Sequence, residues 1–119
     1  MPWLLHHVQL AIPPGSEDEA REFYGGVLGC QELTKPATLA EPDGAWFRYG
    51  GVELHLGVAE DYRSDPEAYP GILVGDLDEL EARLRAAGYG VEPDYRLPGY
   101  RRFYVRDPFG NRIEFLAVL

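Results

Sequence analysis

The chain has 119 residues, one cysteine, 45% hydrophobic and 26% charged side chains, and a formal net charge of −9. That length suits one domain, or two small modules sharing a core, and the negative charge disfavours a nucleic-acid partner. No apolar run approaches the ~18 residues of a membrane span, the opening MPWLLHHVQLAIPP lacks a basic region and a cleavage site, and a lone Cys30 excludes an internal disulfide framework; the expectation is a cytoplasmic protein with a small-molecule partner and no contact with membrane or nucleic acid.

In chain order, Leu4 to Ile12 alternates with a period of about two and predicts a first strand. By that alternation His6 points to the opposite face from His7. Pro13-Pro14-Gly15 ends the strand. Ser16-Glu-Asp-Glu19 reads as a capping box opening a helix, with Ala20, Phe23, Tyr24, Val27 and Leu28 on one face and Gly29 as its stop. Strands follow near Gln31 to Thr34, Ala45 to Tyr49 and Val52 to Val58, the last two joined by a Gly50-Gly51 hairpin turn.

The pattern then recurs. Tyr69 to Val74 predicts a strand, and Asp76-Leu-Asp-Glu79 a second capping box. Leu77, Leu80, Leu84 and Ala87 form the apolar stripe of its helix, with Gly88 as the stop. Strands follow around Gly90 to Pro93, Arg101 to Arg106 and Arg112 to Val118. Ser16 and Asp76 lie 60 positions apart, a period used twice, which marks a duplicated unit. The predicted class is α+β: one domain over 1–119, built from two tandem βαβββ modules over 3–59 and 69–119. Residues 59–68 link the modules. In each, the helix covers one sheet face and the other curves around a cavity.

Aligning the halves places Val52-Glu-Leu-His-Leu56 over Asn111-Arg-Ile-Glu-Phe115, so His55 falls on Glu114. His7 falls on Tyr69, and the spacings agree, 48 residues from His7 to His55 and 45 from Tyr69 to Glu114. Three of these four positions carry side chains able to ligate a metal, each a polar residue within an apolar strand. In the C-terminal hairpin, alternation turns Phe103 and Val105 toward the helix, and Arg102, Tyr104 and Arg106 toward the cavity. The alternative for Glu114 is an ion pair with Arg102 or Arg112. Trp46 and Arg48 are candidates for the matching wall. Tyr62, Arg63, Tyr100 and Arg101 fall on expected loops that could close over an anionic ligand.

His7-Val-Gln-Leu-Ala-Ile12, Phe23-Tyr-Gly-Gly-Val-Leu-Gly29, Val74-Gly-Asp-Leu-Asp78 and Tyr104-Val-Arg-Asp-Pro-Phe-Gly-Asn-Arg-Ile-Glu114 together make the chain resemble the vicinal-oxygen-chelate superfamily. That superfamily includes glyoxalase I, fosfomycin-resistance proteins, extradiol dioxygenases and bleomycin-resistance proteins. The resemblance implies a site at His7, His55, Tyr69 and Glu114. It implies a divalent metal (Zn, Ni, Mn, Fe or Co) held by His7, His55 and Glu114, with Glu114 also exchanging protons. It further implies Tyr69, Arg102, Tyr104, Trp46 and Arg48 around the substrate, and a homodimer. Tyr69 stands where the family usually has histidine, and a neutral phenol is a poor ligand. That departure argues against an extradiol dioxygenase and against fosfomycin chemistry. Glyoxalase I chemistry is disfavoured too, because that family has a carboxylate or amide at the His55 position.

Two function classes follow. One is a metal-dependent lyase, isomerase or transferase acting on a small oxygen-bearing substrate, where the ion stabilises an oxyanion. The other is a metal-free binding protein that sequesters a drug or metabolite, as bleomycin-resistance proteins do. The use of Arg, Gly, Pro and Leu with a single lysine suggests a GC-rich bacterial genome.

Overall fold

The computed structural model describes residues 1–39 and 42–119. The chain divides into two compact units, Met1–Arg63 and Ser64–Leu119. Each carries one four-stranded mixed sheet and a βαβββ order, as the α+β expectation required. No helix of the described residues is long and apolar enough to cross a membrane.

The first unit runs β1 (Val8–Ile12), α1 (Glu17–Ala20) continuing into a π-helical segment (Arg21–Val27), β2 (Gln31–Leu33), β3 (Ala45–Tyr49) and β4 (Val52–Val58). Its strand order is β1-β4-β3-β2, with β1 parallel to β4 and the other pairs antiparallel. The first strand is shorter than the alternation predicted. Residues 1–7 lie outside the sheet, and Leu4 is exposed although the pattern placed it inside. His6 and His7 therefore escape the strand rule and do not part to opposite faces: their Nδ1 atoms approach to 2.9 Å.

The helix face is as expected except at Val27, which is only half-buried. Ala20, Phe23, Tyr24 and Leu28 are buried, and the Tyr24 ring stacks on Phe47 of β3 at 5.7 Å. Its start is not. The Ser16 hydroxyl donates to the Pro13 carbonyl at 2.6 Å and makes no capping bond, so the first capping box does not form. The Pro-Pro-Gly run just ahead of Ser16 offers a nearer carbonyl, and short hydroxyl side chains readily take such local partners. The segment also widens: the Leu28 N–H donates to the Phe23 carbonyl five residues back, around the Gly25-Gly26 pair.

The second unit runs β5 (Gly71–Leu73), α2 (Leu77–Ala86), β6 (Glu92–Asp94), β7 (Tyr100–Arg106) and β8 (Arg112–Val118). Its order is β5-β8-β7-β6, the same pattern as the first sheet, with β5 parallel to β8. Here the capping box forms, with Asp76 Oδ1 accepting from the Glu79 N–H at 3.0 Å. Leu77, Leu80 and Leu84 are buried with Phe103, Val105, Ile113 and Phe115 of the hairpin. Ala87 is exposed, because α2 ends at Ala86 and the chain leaves the stripe there. Tyr69 precedes the short β5 rather than lying in it. Tyr100, expected in a loop, begins β7 instead, paired with Val118, and Arg101 pairs with Ala117 within the strand expected from Arg101 to Arg106 rather than on a closing loop.

The Asp107-Pro-Phe-Gly-Asn111 turn is built around a buried carboxylate. Asp107 Oδ1 accepts from the N–H groups of Phe109 at 3.0 Å and Asn111 at 2.8 Å, and Oδ2 accepts from the Asn111 side chain. Gly110 takes φ +93, a left-handed conformation that a side chain would strain. This fixes the register of β7 and β8, and so where Arg102, Tyr104, Arg106, Arg112 and Glu114 stand.

Candidate functional site

The ladder registers confirm the internal alignment of the halves. His55 of β4 lies opposite Gln9 on one side and Trp46 on the other. Glu114 of β8 lies opposite Gly71 and Tyr104. His55 and Glu114 are thus equivalent, as are Trp46 and Tyr104, and His7 and Tyr69 follow two residues before Gln9 and Gly71. Each unit gathers its own group of candidate side chains.

In the first unit three rings are stacked. Trp46 lies on His55 with centroids 3.8 Å apart and planes at 5°, and His55 lies on His7 at 4.0 Å and 13°. His55 is buried and its Nε2 meets Glu53 Oε1 at 2.8 Å. That hydrogen bond, the largest effect on Glu53, holds its carboxyl below the usual range. His7 is exposed at the outer end of the stack. Arg48 is exposed on β3 opposite Glu53, and Tyr62 and Arg63 lie outside any strand. Glu53 was not anticipated as His55's partner, although an i, i+2 pair on one strand shares a face.

In the second unit the side chains are charged and phenolic. Arg102 Nη1 donates to Glu114 Oε2 at 3.1 Å, and Arg102 Nη2 reaches Asp94 Oδ1 at 3.4 Å. Both members of the Arg102–Glu114 pair are largely buried, their side chains 14% and 13% exposed. Arg102 Nε is buried without a hydrogen-bond partner among the described residues. Burial pulls the Arg102 pKa down, yet Glu114, Tyr104 and Asp94 leave it above its ordinary value. Gly71 leaves room for Glu114: a Cβ there would stand 3.4 Å from Glu114 Oε1. Tyr69 meets Tyr104 edge to face at 5.6 Å. Burial first, then the Tyr69 hydrogen bond, push the Tyr104 phenol above its ordinary pKa. The Arg112 guanidinium lies 3.9 Å from the Tyr104 ring centre and 4.9 Å from that of Tyr69. Arg101, expected at a closing loop, is ion-paired with Asp78.

Tested against a divalent ion, the donors do not fit within either unit. The lone pairs of an imidazole lie in its plane, so two nearly parallel stacked rings do not converge them on one ion. His55 Nε2 already holds Glu53, and the Glu114 carboxylate already holds Arg102. Among the described residues, no three His, Cys, Asp or Glu side chains of one unit come together as metal ligands. What the two groups can do is stack planar groups, on the Trp46–His55–His7 side, and hydrogen-bond or neutralise charge, on the Arg102–Tyr104–Glu114 side.

Comparison with known proteins agrees with this architecture. The family model described as the Glyoxalase/Bleomycin resistance protein/Dioxygenase superfamily matches residues 4–115. A protein assigned to the glyoxalase family from Bacillus anthracis is 41% identical, with a TM-score of 0.94, over 100% of this chain and 98% of that one. A virulence protein from Salmonella typhimurium is 19% identical, with a TM-score of 0.75, over 100% and 99%. The E126Q mutant of the fosfomycin resistance protein FosX from Listeria monocytogenes, complexed with Mn(II) and 1S,2S-dihydroxypropylphosphonic acid, is 17% identical, with a TM-score of 0.80, over 100% and 95%. The last two share the fold, and FosX shows that relatives bind small molecules and a divalent metal. No curated protein sequence matches. By the family model and the 41% identical relative, the chain belongs to the Glyoxalase/Bleomycin resistance protein/Dioxygenase superfamily.

Proposed function

We propose that this protein is a small-molecule-binding member of the superfamily that captures an organic ligand directly, without a metal held by His7, His55 and Glu114. The observation that carries this reading is the Arg102–Glu114 ion pair. A largely buried carboxylate already neutralised by a guanidinium gains little from a metal and would leave Arg102 half-paired on giving it up. The stacked rings of the first unit and the phenols of the second supply flat, amphipathic contact area of the kind ligand sites use.

The metal-dependent reading, a lyase, isomerase or transferase, keeps one supporting observation. His55 and Glu114 occupy equivalent strand positions of the repeat, and His7 stands just ahead of β1, two residues before the Gln9 that pairs with His55. In that reading Arg102 would turn from Glu114 to the substrate. Pairing of two chains belongs to the proposal as well; exposed Leu73 and Val118 on β5 and β8 give it apolar surface, and light scattering tests it.

The discriminating experiment incubates purified protein with a library of small metabolites and identifies what co-purifies by mass spectrometry. A ligand recovered chemically unchanged at about one per chain supports capture. Conversion of a library member to product, lost in Glu114→Ala, overturns capture in favour of catalysis.

A further inference from the structure

The second unit holds seven arginines. Five are neutralised: Arg83 by Glu79, Arg85 by Glu81, Arg96 by Asp94, Arg101 by Asp78, and Arg102 by Glu114 and Asp94. Among the described residues, the two that remain, Arg106 and Arg112, hydrogen-bond only to carbonyl oxygens. Arg106 Nη1 donates to Gly110 O at 3.2 Å, and Arg112 Nη1 to Pro66 O at 3.2 Å. These two are also direct partners across the β7–β8 ladder. Like charges placed opposite each other on neighbouring strands repel and destabilise the pairing. The tight turn beyond them fixes the register, so the strands cannot slip to separate them.

Both arginines line one open groove of about 460 Å³, together with Tyr104, Glu92 and the Gly88–Val91 stretch that leads into β6. That volume suits a small ligand. Two guanidiniums against the single exposed carboxylate of Glu92 leave the groove positive in a chain whose net charge is −9. Arg112 is also held in place, its guanidinium lying on the Tyr104 ring. A guanidinium fixed in this way loses less freedom when it takes a bidentate oxyanion.

We propose that the Arg106–Arg112 groove is an oxyanion site, which binds the carboxylate or phosphoryl group of a small organic ligand between the two guanidiniums. This rests on the small-ligand reading above and names the charged group of that ligand. The bound anion supplies the ion-paired counter-charge that the cross-strand pair lacks among the described residues. Glu92 at the rim opposes binding and sets its limit.

The test is titration of the full chain with inorganic phosphate, acetate and methylphosphonate at constant ionic strength, followed by amide and arginine Nε–H NMR shifts. Saturable shifts at residues 104–106 and 112 are expected. Arg106→Gln should weaken binding by about tenfold or more, as loss of one charge-assisted contact does. Glu92→Gln should tighten it, and Arg101→Gln, whose side chain is committed to Asp78, should leave it unchanged. Arg112→Gln also loses packing on Tyr104, so Arg106→Gln is the deciding variant. Its folding is checked by Tm: without anion it should match or exceed wild type, because a repulsion is gone, and phosphate should raise the wild-type Tm more than its own. The relative response to phosphate and acetate tells a phosphoryl from a carboxylate ligand. Shifts that do not saturate, an adventitious ion only, overturn the proposal, as does saturable binding indifferent to Arg106→Gln. A protein that captures only neutral library compounds overturns this proposal and leaves the capture reading standing. Oxyanion binding through Arg106 alongside a stoichiometric metal lost in His7→Ala and Glu114→Ala upholds this proposal and overturns the metal-free reading.

Discussion

Arg102 of β7 holds Glu114 of β8 at 3.1 Å, and its other terminal nitrogen reaches Asp94 of β6 at 3.4 Å. One guanidinium thus ties three strands of the second sheet, and it does so with the carboxylate that a metal would require. Removing one partner of a largely buried pair leaves the other charge uncompensated, whereas replacing both with apolar groups need not. Glu114→Ala should therefore destabilise the fold by about 1–3 kcal/mol, softened because Asp94 still partners Arg102. The double change Arg102→Met with Glu114→Leu should recover most of that loss. Urea unfolding of the four members of the cycle measures it, and a freely additive cycle would mean the pair carries no coupling.

Asp94 gives the fold an acid-sensitive element. Arg96, through its side chain and its backbone N–H, and then Arg102 hold the Asp94 carboxyl far below the ordinary range. A depressed carboxyl contributes stability that is present above the unfolded-state pKa of about 4 and fades as pH falls through the folded value. The urea midpoint of wild type should exceed that of Asp94→Asn near neutrality, and the gap should narrow from about pH 4 downward. A gap constant with pH would assign the difference to packing.

Tyr104 works at the other end of the scale. Burial, and secondly the contact with Tyr69, raise its pKa, so the folded state favours the neutral phenol. Stability from this group is full below pH 10 and is lost as pH rises through the higher folded value. Ultraviolet titration should show one phenol ionising after the exposed tyrosines. Tyr69→Phe should bring it down only part of the way, since burial remains the larger cause.

The two helix starts should respond differently to alanine. Asp76 caps α2 through the Glu79 N–H, so Asp76→Ala should cost about 1 kcal/mol. Ser16 instead binds the Pro13 carbonyl, and Ser16→Ala should change the Pro13–Ser16 turn rather than the end of α1. Thermal unfolding gives the first effect, and amide exchange in residues 17–20 tests the second.

The duplicated βαβββ order, and β3, β4 and β8 to the residue, were legible because period-two runs there are bounded by Gly50-Gly51 and by the Asp107-Pro-Phe-Gly-Asn111 turn. Strand ends were less legible. Leu4 continues an apolar alternation yet lies outside the sheet, since alternation does not report whether a partner strand reaches that far. Ser-x-x-Glu appears at Ser16 as surely as Asp-x-x-Glu at Asp76, but a competing carbonyl at Pro13 decides the first. Within the candidate site, the equivalence of His55 and Glu114 could be read from spacing, and so could an arginine partner for Glu114. Which arginine could not, because Arg102 and Arg112 both fall on the Glu114 face and only the ladder and the Tyr104 ring separate their roles. Asp94 and Glu53 were missed for the same reason: their importance comes from the partner across space.

The most direct test of the central claim, that Glu114 belongs to Arg102 and not to a metal, is metal content by plasma mass spectrometry after exposure of untagged protein to Zn, Mn, Ni, Fe and Co. Wild type, His7→Ala and Glu114→Ala are compared. Far less than one ion per chain is expected in wild type, with no difference among the three. One tightly held ion per chain, lost in both variants, would contradict that claim and make Glu114 a ligand.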